Sequence, residues 1–199
     1  MTAREQGFLL LTSSLGDPDR KPLTIAQFRE LTRRMRLAEK PKGNRELAAD
    51  DLVKLGCSLE MAERILRLLS QTEQLAWYLG RGKRQDCYPL TRNNPDYPAR
   101  LRKCLGMEAP GVLWTKGDQE VLQVPVVSLV GSRELHAENH QFAKEVGKQA
   151  ALQGYALISG NARGADRTAQ ESCLEHGGKV IKVVADALEE HALKRNVLY

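Results

Sequence analysis

The sequence has no long apolar run, and this scarcity excludes a membrane protein. No stretch approaches the ~18 apolar residues that a membrane-spanning helix needs. The one apolar patch near the amino terminus covers only residues 8–11, and acidic residues flank it, unlike the core of a signal peptide. We therefore predict a cytoplasmic protein that does not contact a membrane.

Cysteines are also few and stand far apart. No Cys-x-x-Cys pair occurs, and no histidine lies at metal-ligand spacing from any of the four, which are Cys57, Cys87, Cys104 and Cys173. A zinc site needs ligands in such closely spaced pairs. We predict reduced thiols in a reducing compartment and no metal.

Several signatures of catalysis and of cofactor binding are missing. The sequence has no GxGxxG motif after a strand, no Walker A lysine, and no recognisable Ser/His/Asp or Cys/His set. Its four histidines have no obvious partners along the chain. We therefore expect no cofactor and no catalytic residue, and the sequence favours binding over catalysis.

Positive charge is unevenly distributed. The net charge is +5, and residues 1–123 hold 21 Lys and Arg against 16 Asp and Glu, whereas residues 124–199 hold nine of each. The excess is concentrated in residues 29–45 and 81–103. Such a distribution is compatible with nucleic-acid binding, although solvated helical faces have the same composition.

Residues 1–86 are predicted to form a small all-α domain of SAM or helix-hairpin-helix type. Thr24 and Gln27 have the spacing of a capping box. The helix that follows is predicted to bury Ile25, Phe28, Leu31 and Met35 on one face and to end at residues 40–44.

Two shorter amphipathic helices are predicted to meet at residues 56–58. The hairpin lacks a second turn glycine, which leaves two interpretations open, a DNA-contacting hairpin and a plain packing unit. Its shared core is predicted to contain Leu52, Leu55, Ala62, Ile65 and Leu69.

Strands and helices alternate in the rest of the chain. Residues 87–123 are interpreted as a connector and the start of the next domain, with a short strand at 112–114. Residues 124–199 then predict strands at 124–130, 155–159 and 179–184, the first buried on both faces, and helices at 137–154, 166–176 and 187–199. The first of these helices has Phe142, Val146 and Ala150 at helical spacing and a C-cap signal at Gly154. This order indicates an α/β fold with a partial, Rossmann-like parallel sheet of about three main strands and right-handed crossovers.

Two loops of the same character follow the first two strands of this sheet. Ligands of open parallel sheets bind beyond the carboxyl ends of the strands, where glycines, helix N-termini and arginines can hold phosphate oxygens. The simpler interpretations are tight turns, solvated arginines and a helix N-cap for Asp166. The predicted phosphate-binding residues are Gly131, Ser132, Arg133, Ser159, Gly160, Asn161, Ala162, Arg163, Gly164 and Asp166.

The stretches "YPARLRKCLGMEAPGVLWTKGD", "VVSLVGSR" and "GYALISGNARGADRTAQESCLEHGGKVIKVVA" together resemble the DprA/Smf family of DNA-processing proteins, over residues 97–185 or so. The resemblance implies a Rossmann-like fold that binds single-stranded DNA in recombination and natural transformation. It also implies RecA and a second copy of the chain as partners. Family members continue through further strands, so it further implies an incomplete, carboxyl-terminally truncated domain.

Two other functions stay open at this stage. Nucleotide phosphoribohydrolases share the fold, although their PGGxGTxxE motif is absent from this sequence. A nucleotide-sensing module would use the same pocket for a small phosphorylated signal.

Overall fold

The computed structural model describes residues 1–38 and 46–199, and the chain divides into a helical unit, Met1–Arg81, and an α/β unit, Gly82–Tyr199. The predicted helix stop at residues 40–44 lies outside the described residues. No helix in the described ranges is both long enough and apolar enough to cross a bilayer. The first five helices are α1 (Ala3–Thr12), α2 (Ile25–Leu37), α3 (Ala49–Lys54), α4 (Leu59–Ser70) and α5 (Thr72–Arg84).

The core of the helical unit follows the sequence pattern closely at the hairpin. α3 and α4 are joined at residues 56–58, as predicted. Three of the five predicted core residues are buried, and Leu55 and Leu69 pack against them at the margin. The buried set is Leu11, Leu23, Leu31, Leu52, Ala62, Ile65 and Leu68.

The apolar face of α2 is shorter than its pattern suggests. Thr24 and Gln27 form the predicted capping box, and Leu31 is buried with Phe28 packed beside the core. Ile25 and Met35, however, are 48% and 56% exposed, so their predicted burial is wrong. Only the central turn of the helix meets the core, and both ends therefore reach solvent.

The α/β unit begins with a two-stranded antiparallel sheet. β1 (Cys87–Thr91) pairs with β2 (Val112–Lys116), and α6 (Ala99–Leu105) lies between them in sequence. The predicted short strand at 112–114 is confirmed as part of β2. The sequence interpretation as a connector missed β1, because Pro89 lies inside it; this two-stranded sheet tolerates a proline that a central strand of a larger sheet would not.

The parallel sheet confirms the predicted α/β fold. Its strand order is β3-β4-β5-β6, and all neighbours are parallel. The crossovers β3 to β4 and β4 to β5 contain helices α7 and α8. The ranges are β3 (Val126–Ser128), α7 (Ala137–Leu152), β4 (Ala156–Ser159), α8 (Ala165–Glu175), β5 (Lys179–Lys182) and β6 (Val197–Leu198).

Helices α7 and α8 pack closely on one another. A Cβ at Gly147 of α7 would lie 2.9 Å from the carbonyl carbon of Ala169 in α8, so only glycine permits this approach. The two helices share a buried core with the sheet, made of Ala143, Ala150, Leu157, Ala169, Cys173 and Val180. This packing fixes where α8 begins relative to the end of β3.

The prediction of a long first strand buried on both faces is wrong. β3 is three residues long and lies at the edge of the sheet, so it has a neighbour on one side only. Val126 and Val127 are only half-buried, Ser128 is exposed, and Val130, beyond the end of the strand, is 77% exposed. Phe142 is 65% exposed and lines an open groove of about 430 Å³ with Val127.

The prediction of a helix over residues 187–199 is also wrong. The segment holds one 3₁₀ turn at Leu188–Glu190 and then strand β6. Asn196 has a φ of +61°, which interrupts any helix before the strand. The last residues pair with β5 on one side and with residues 116–118 on the other, through bonds such as Lys116 N to Tyr199 O at 2.9 Å.

Candidate anion-binding site

The two glycine-containing loops leave the same edge of the sheet. β3 and β4 are parallel neighbours, with Ser128 opposite Ile158, so both strands end at this edge. The loops are in direct contact, because the amide of Ala165 donates to the carbonyl oxygen of Ser132 over 3.0 Å. The loop after β3 therefore lies against the start of α8, as the position of ligand sites in parallel sheets predicts.

Two glycines make this contact possible. A Cβ at Gly131 would lie 2.7 Å from the Cβ of Ala165. A Cβ at Gly164 would lie 2.7 Å from the carbonyl carbon of Arg133 and closer still to Ser132, and the φ of Gly164 is +79°. A larger residue at either position would push the two loops apart.

The buried side chain of Asp166 holds the second loop through hydrogen bonds to its backbone. It is 5% exposed, and its Oδ2 accepts hydrogen bonds from the amides of Gly160 at 3.0 Å and Ala162 at 3.4 Å. The alternative that Asp166 caps its own helix is wrong, because Gly164 occupies the N-cap position and Asp166 is the second residue of α8. Its carboxylate turns back to the loop.

This arrangement changes which groups can hold an anion. Two amides that the sequence predicted as phosphate donors, those of Gly160 and Ala162, already have partners inside the protein, as does the neighbouring amide of Ala165. Ser159 is buried, and its hydroxyl accepts a bond from the side chain of Gln170. The second polar atom of that side chain, Oε1, is buried and has no hydrogen-bond partner among the described residues.

Cationic side chains on the rim stay accessible. Arg133 and Arg163 are exposed, and no carboxylate of the described chain lies within ion-pair distance of either guanidinium. Guanidinium groups bind phosphate oxygens through paired hydrogen bonds. The chemistry available at this edge is therefore charge-assisted binding of anions by arginines that a rigid pair of loops holds in place.

Sequence reasoning missed two further cations of the same edge. Arg167 is exposed on the first turn of α8, and Lys182 is the last residue of β5, opposite Ser159 in the register. The predicted site was confined to the loops after the first two strands. The signal that could have found Lys182 is the third strand itself, which ends in lysine at the edge where ligands bind.

One pair of titratable side chains lies elsewhere in the α/β unit. His191 does have a partner, contrary to the sequence interpretation, since its Nε2 lies 2.8 Å from Asp186 Oδ1 and its ring stacks on Tyr199. The same bond lowers the pKa of the Asp186 carboxyl. Within the part of the chain that the structure describes, no three His, Cys, Asp or Glu residues converge as metal ligands do.

Comparisons with known proteins converge on one family. The sequence model of the family described as DNA recombination-mediator protein A matches residues 89–198. Over 93 residues the chain is 38% identical to DNA processing protein DprA of Streptococcus pneumoniae strain R6, covering 45% of this chain and 31% of that protein. Over 104 residues it is 30% identical to protein Smf of a Synechocystis strain, covering 50% of this chain and 26% of that protein.

A comparison with solved structures finds a similar fold in a protein of the same name. The X-ray structure of DNA processing protein A from Streptococcus pneumoniae superposes with a TM-score of 0.67 at 21% identity, covering 100% of this chain and 68% of that one. The matched segments thus span about a third or less of the curated relatives, and 68% of the solved chain. Both β1 and the parallel sheet lie within or overlap the matched range 89–198.

Proposed function

The chain belongs to the DNA recombination-mediator protein A family, and on that premise we propose that its α/β unit binds single-stranded DNA at the edge where residues 131–133 meet residues 160–164. The observation that carries this proposal is the interlocked pair of loops that presents Arg133 and Arg163 without an ion-pair partner among the described carboxylates. Arginines spaced along an edge bind successive phosphates without reading bases.

The site acts, in this proposal, by binding and not by catalysis. The loops are held by Asp166 and by the contact of Ala165 with Ser132, so their backbone needs little ordering when the strand arrives, and the ordering cost is that of the arginine side chains. Each phosphate neutralised by an arginine releases counterions, so affinity falls with salt. Nothing in this arrangement cleaves or transfers a bond.

A fluorescence anisotropy titration tests the proposal. A labelled oligothymidylate is titrated with the full chain at several salt concentrations, and Arg133→Ala/Arg163→Ala is compared with the wild type. Loss of two charge-assisted contacts is expected to weaken binding by about 100-fold. The slope of log affinity against log salt should become shallower by about 1.4, as for two phosphates on a single strand.

A matched control removes the same charge elsewhere. Arg36→Ala/Arg100→Ala takes two exposed arginines from α2 and α6, outside the site. It should retain most of the affinity. Equal losses in the two double variants would mean that net charge alone attracts DNA, and the proposal would then be wrong.

Two competitors distinguish the other functions that the sequence left open. Displacement of the oligonucleotide by low concentrations of AMP would favour a nucleotide-sensing module over a DNA-binding site. Release of adenine from AMP, followed by chromatography, would establish a phosphoribohydrolase. We expect neither, because the open edge with several separated cations fits a polymer better than one phosphate.

We further propose that the bound strand is handed to RecA in recombination and natural transformation, in the cytoplasm, and that the protein acts as a homodimer. The support for RecA as a partner, for the cytoplasm and for the homodimer is family membership, and none of the three is argued from a particular side chain. Assembly of RecA filaments on DNA coated with single-strand-binding protein tests the first in vitro, and sedimentation velocity tests the dimer. A purely monomeric profile at working concentrations would exclude the dimer.

A further inference from the structure

Lys182 reaches the same loops from the sheet below them. It ends β5 and pairs in register with Ser159, the last residue of β4. Its ammonium donates to Asn161 Oδ1 over 3.1 Å. Asn161 stands in the second loop with a φ of +65°, so the lysine meets the loop at a residue in the left-handed conformation.

The surroundings of this lysine favour a negative charge that the protein does not supply. Burial lowers the pKa of Lys182 first, repulsion from Lys194 and Arg167 lowers it further, and Glu171 opposes them. No carboxylate of the described residues lies within ion-pair distance of it. A half-buried ammonium whose hydrogen-bond partner is a neutral amide is poorly compensated, since burial of charge is costly without a counter-charge.

The ring of Tyr199 does not replace that counter-charge. Lys182 Nζ lies 5.7 Å from the centre of the ring, near the outer limit of cation–π contact. His191 stacks on Tyr199 at 4.7 Å between ring centres. The lysine is thus positioned by Asn161 and Tyr199, with capacity for further hydrogen bonds from its three donors.

We infer that Lys182 is a phosphate-binding residue at the base of the loops, which takes one phosphate group of the strand whose neighbouring phosphates bind Arg133 and Arg163. The inference rests on the proposed function for the identity of the ligand as single-stranded DNA. It adds a third strand end, that of β5, to a site assigned so far to the loops after β3 and β4. Asn161 acts with it as the residue that orients the ammonium.

The strand that carries Lys182 also supplies a matched control. β5 begins with Lys179 and ends with Lys182, so the same residue type stands at both ends of one strand. Only the carboxyl end faces the loops. Lys182→Met and Lys179→Met therefore remove one charge each from opposite ends of β5 and keep a side chain of similar length.

Anisotropy with the labelled oligothymidylate gives the first measurement. Lys182→Met is expected to weaken binding about 10-fold and to reduce the salt slope by about 0.7, the values for one charge-assisted contact to a single strand. Lys179→Met should bind as the wild type does. The urea midpoint of Lys182→Met should be unchanged or higher, because an uncompensated charge has been removed. A lowered midpoint with unchanged affinity would assign the lysine a structural role and overturn the inference.

Acetylation by acetic anhydride, read by mass spectrometry, gives a second measurement that does not depend on the DNA hypothesis. Lys182 in the full chain should be protected by the oligonucleotide and by millimolar inorganic phosphate, and Lys179 by neither. Protection by phosphate in a protein that binds no oligonucleotide would reject the proposed function and keep the phosphate site. Absence of protection by either probe would overturn the inference.

Discussion

In the helical unit Arg20 is 5% exposed and its guanidinium is surrounded by acceptors, whereas in the α/β unit Arg133 and Arg163 stand exposed on paired loops. Arg20 donates to the carbonyls of Leu10 at 2.6 Å and Ser13, and to the side chain of Gln71 at 2.7 Å. Burial lowers its pKa, with Asp17 acting in the opposite direction. Arg20 thus donates to carbonyls near a helix end that lack a backbone donor, whereas Arg133 and Arg163 are available to a ligand.

The comparison shows why a charge count and the accessible cations can indicate different parts of the chain. Residues 1–123 hold the whole positive excess, yet many of their arginines have partners within the protein. Arg64 donates to the carbonyls of Lys21 and Pro22, and Arg92 donates to that of Gly106. What a surface offers to DNA depends on unsatisfied donors, and a sequence count includes the satisfied ones.

The largest effect should come from Arg20. Arg20→Met leaves several buried carbonyls without a donor and should lower the free energy of unfolding by about 4 kcal/mol. Each unit has one tryptophan, Trp77 and Trp114, so urea unfolding followed by fluorescence in a Trp114→Phe background reports on the helical unit. DNA affinity should not change while both units are folded.

The matched control for this measurement is Arg4→Met, which removes an exposed arginine from α1. It should leave the urea midpoint unchanged. Loss of DNA affinity in folded Arg20→Met protein would break the comparison, because a buried arginine would then contribute to the site.

The second effect should come from the contact between the loops. Gly164→Ala places a Cβ against Ser132 and Arg133 and should cost about 3 kcal/mol of stability and most of the DNA affinity. Gly154→Ala has nearly the same φ, +74° against +79°, but nothing lies within 4 Å of its Cβ. It should cost about 1 kcal/mol, through backbone strain alone, with affinity retained. Equal affinities for the two variants would show that the contact does not shape the site.

A third, smaller effect tests how Asp166 supports the arginines. Asp166→Asn replaces a charged acceptor of two loop amides by a neutral one and should cost about 1.5 kcal/mol. DNA affinity should fall moderately, because the loop that carries Arg163 is then held less firmly. Asp96→Asn, at an exposed turn, is the control. Urea unfolding in a Trp77→Phe background and anisotropy measure both quantities, and increased DNA affinity in Asp166→Asn would indicate that the carboxylate repels phosphate instead.

The fold could be predicted from the sequence where local pattern and tertiary environment agree. The hairpin of α3 and α4, the strands β4 and β5 and the helix α8 follow from apolar periodicity and from glycines at their ends. β3 and the last segment failed for a non-local reason. Val126 and Val127 have the composition of a central strand but lie at an edge, and residues 197–198 become a strand only because β5 and residues 116–118 provide partners.

For the site, the position of the loops could be predicted from the sequence, but the hydrogen-bond partners of their amides could not. That the loops of Arg133 and Arg163 would share one edge follows from parallel strands. That Asp166 would occupy the amides of Gly160 and Ala162 depends on how α8 packs, which no spacing reveals. Lys182 was missed because the predicted site was confined to the loops after the first two strands, and its contact with Asn161, 21 positions away, depends on the fold.

The smallest effect should come from Glu30, which forms ion pairs with two arginines of α2. It accepts bonds from Arg33 at 2.7 Å and Arg34 at 2.6 Å, and these bonds lower its pKa to about 2. The carboxylate is therefore charged, and the pairs are intact, at all pH values above the ordinary pKa of about 4.3, and they are lost only as the pH falls through the lowered value. An NMR titration of the side-chain carboxyl measures this pKa directly.

Glu30→Gln should remove the charged partner of Arg33 and Arg34, and Arg34 keeps its bonds to the carbonyls of Leu55 and Gly56. The urea midpoint should not change measurably, because exposed ion pairs contribute little to stability. In the Arg133→Ala/Arg163→Ala background, where the α/β site is weakened, the residual DNA affinity should then rise by about twofold at low salt and not at high salt. Glu60→Gln, an exposed carboxylate on α4, provides the control for charge alone. If both variants raise affinity equally, pairing does not determine which arginines meet DNA, and the contrast between the two units reduces to one of net charge.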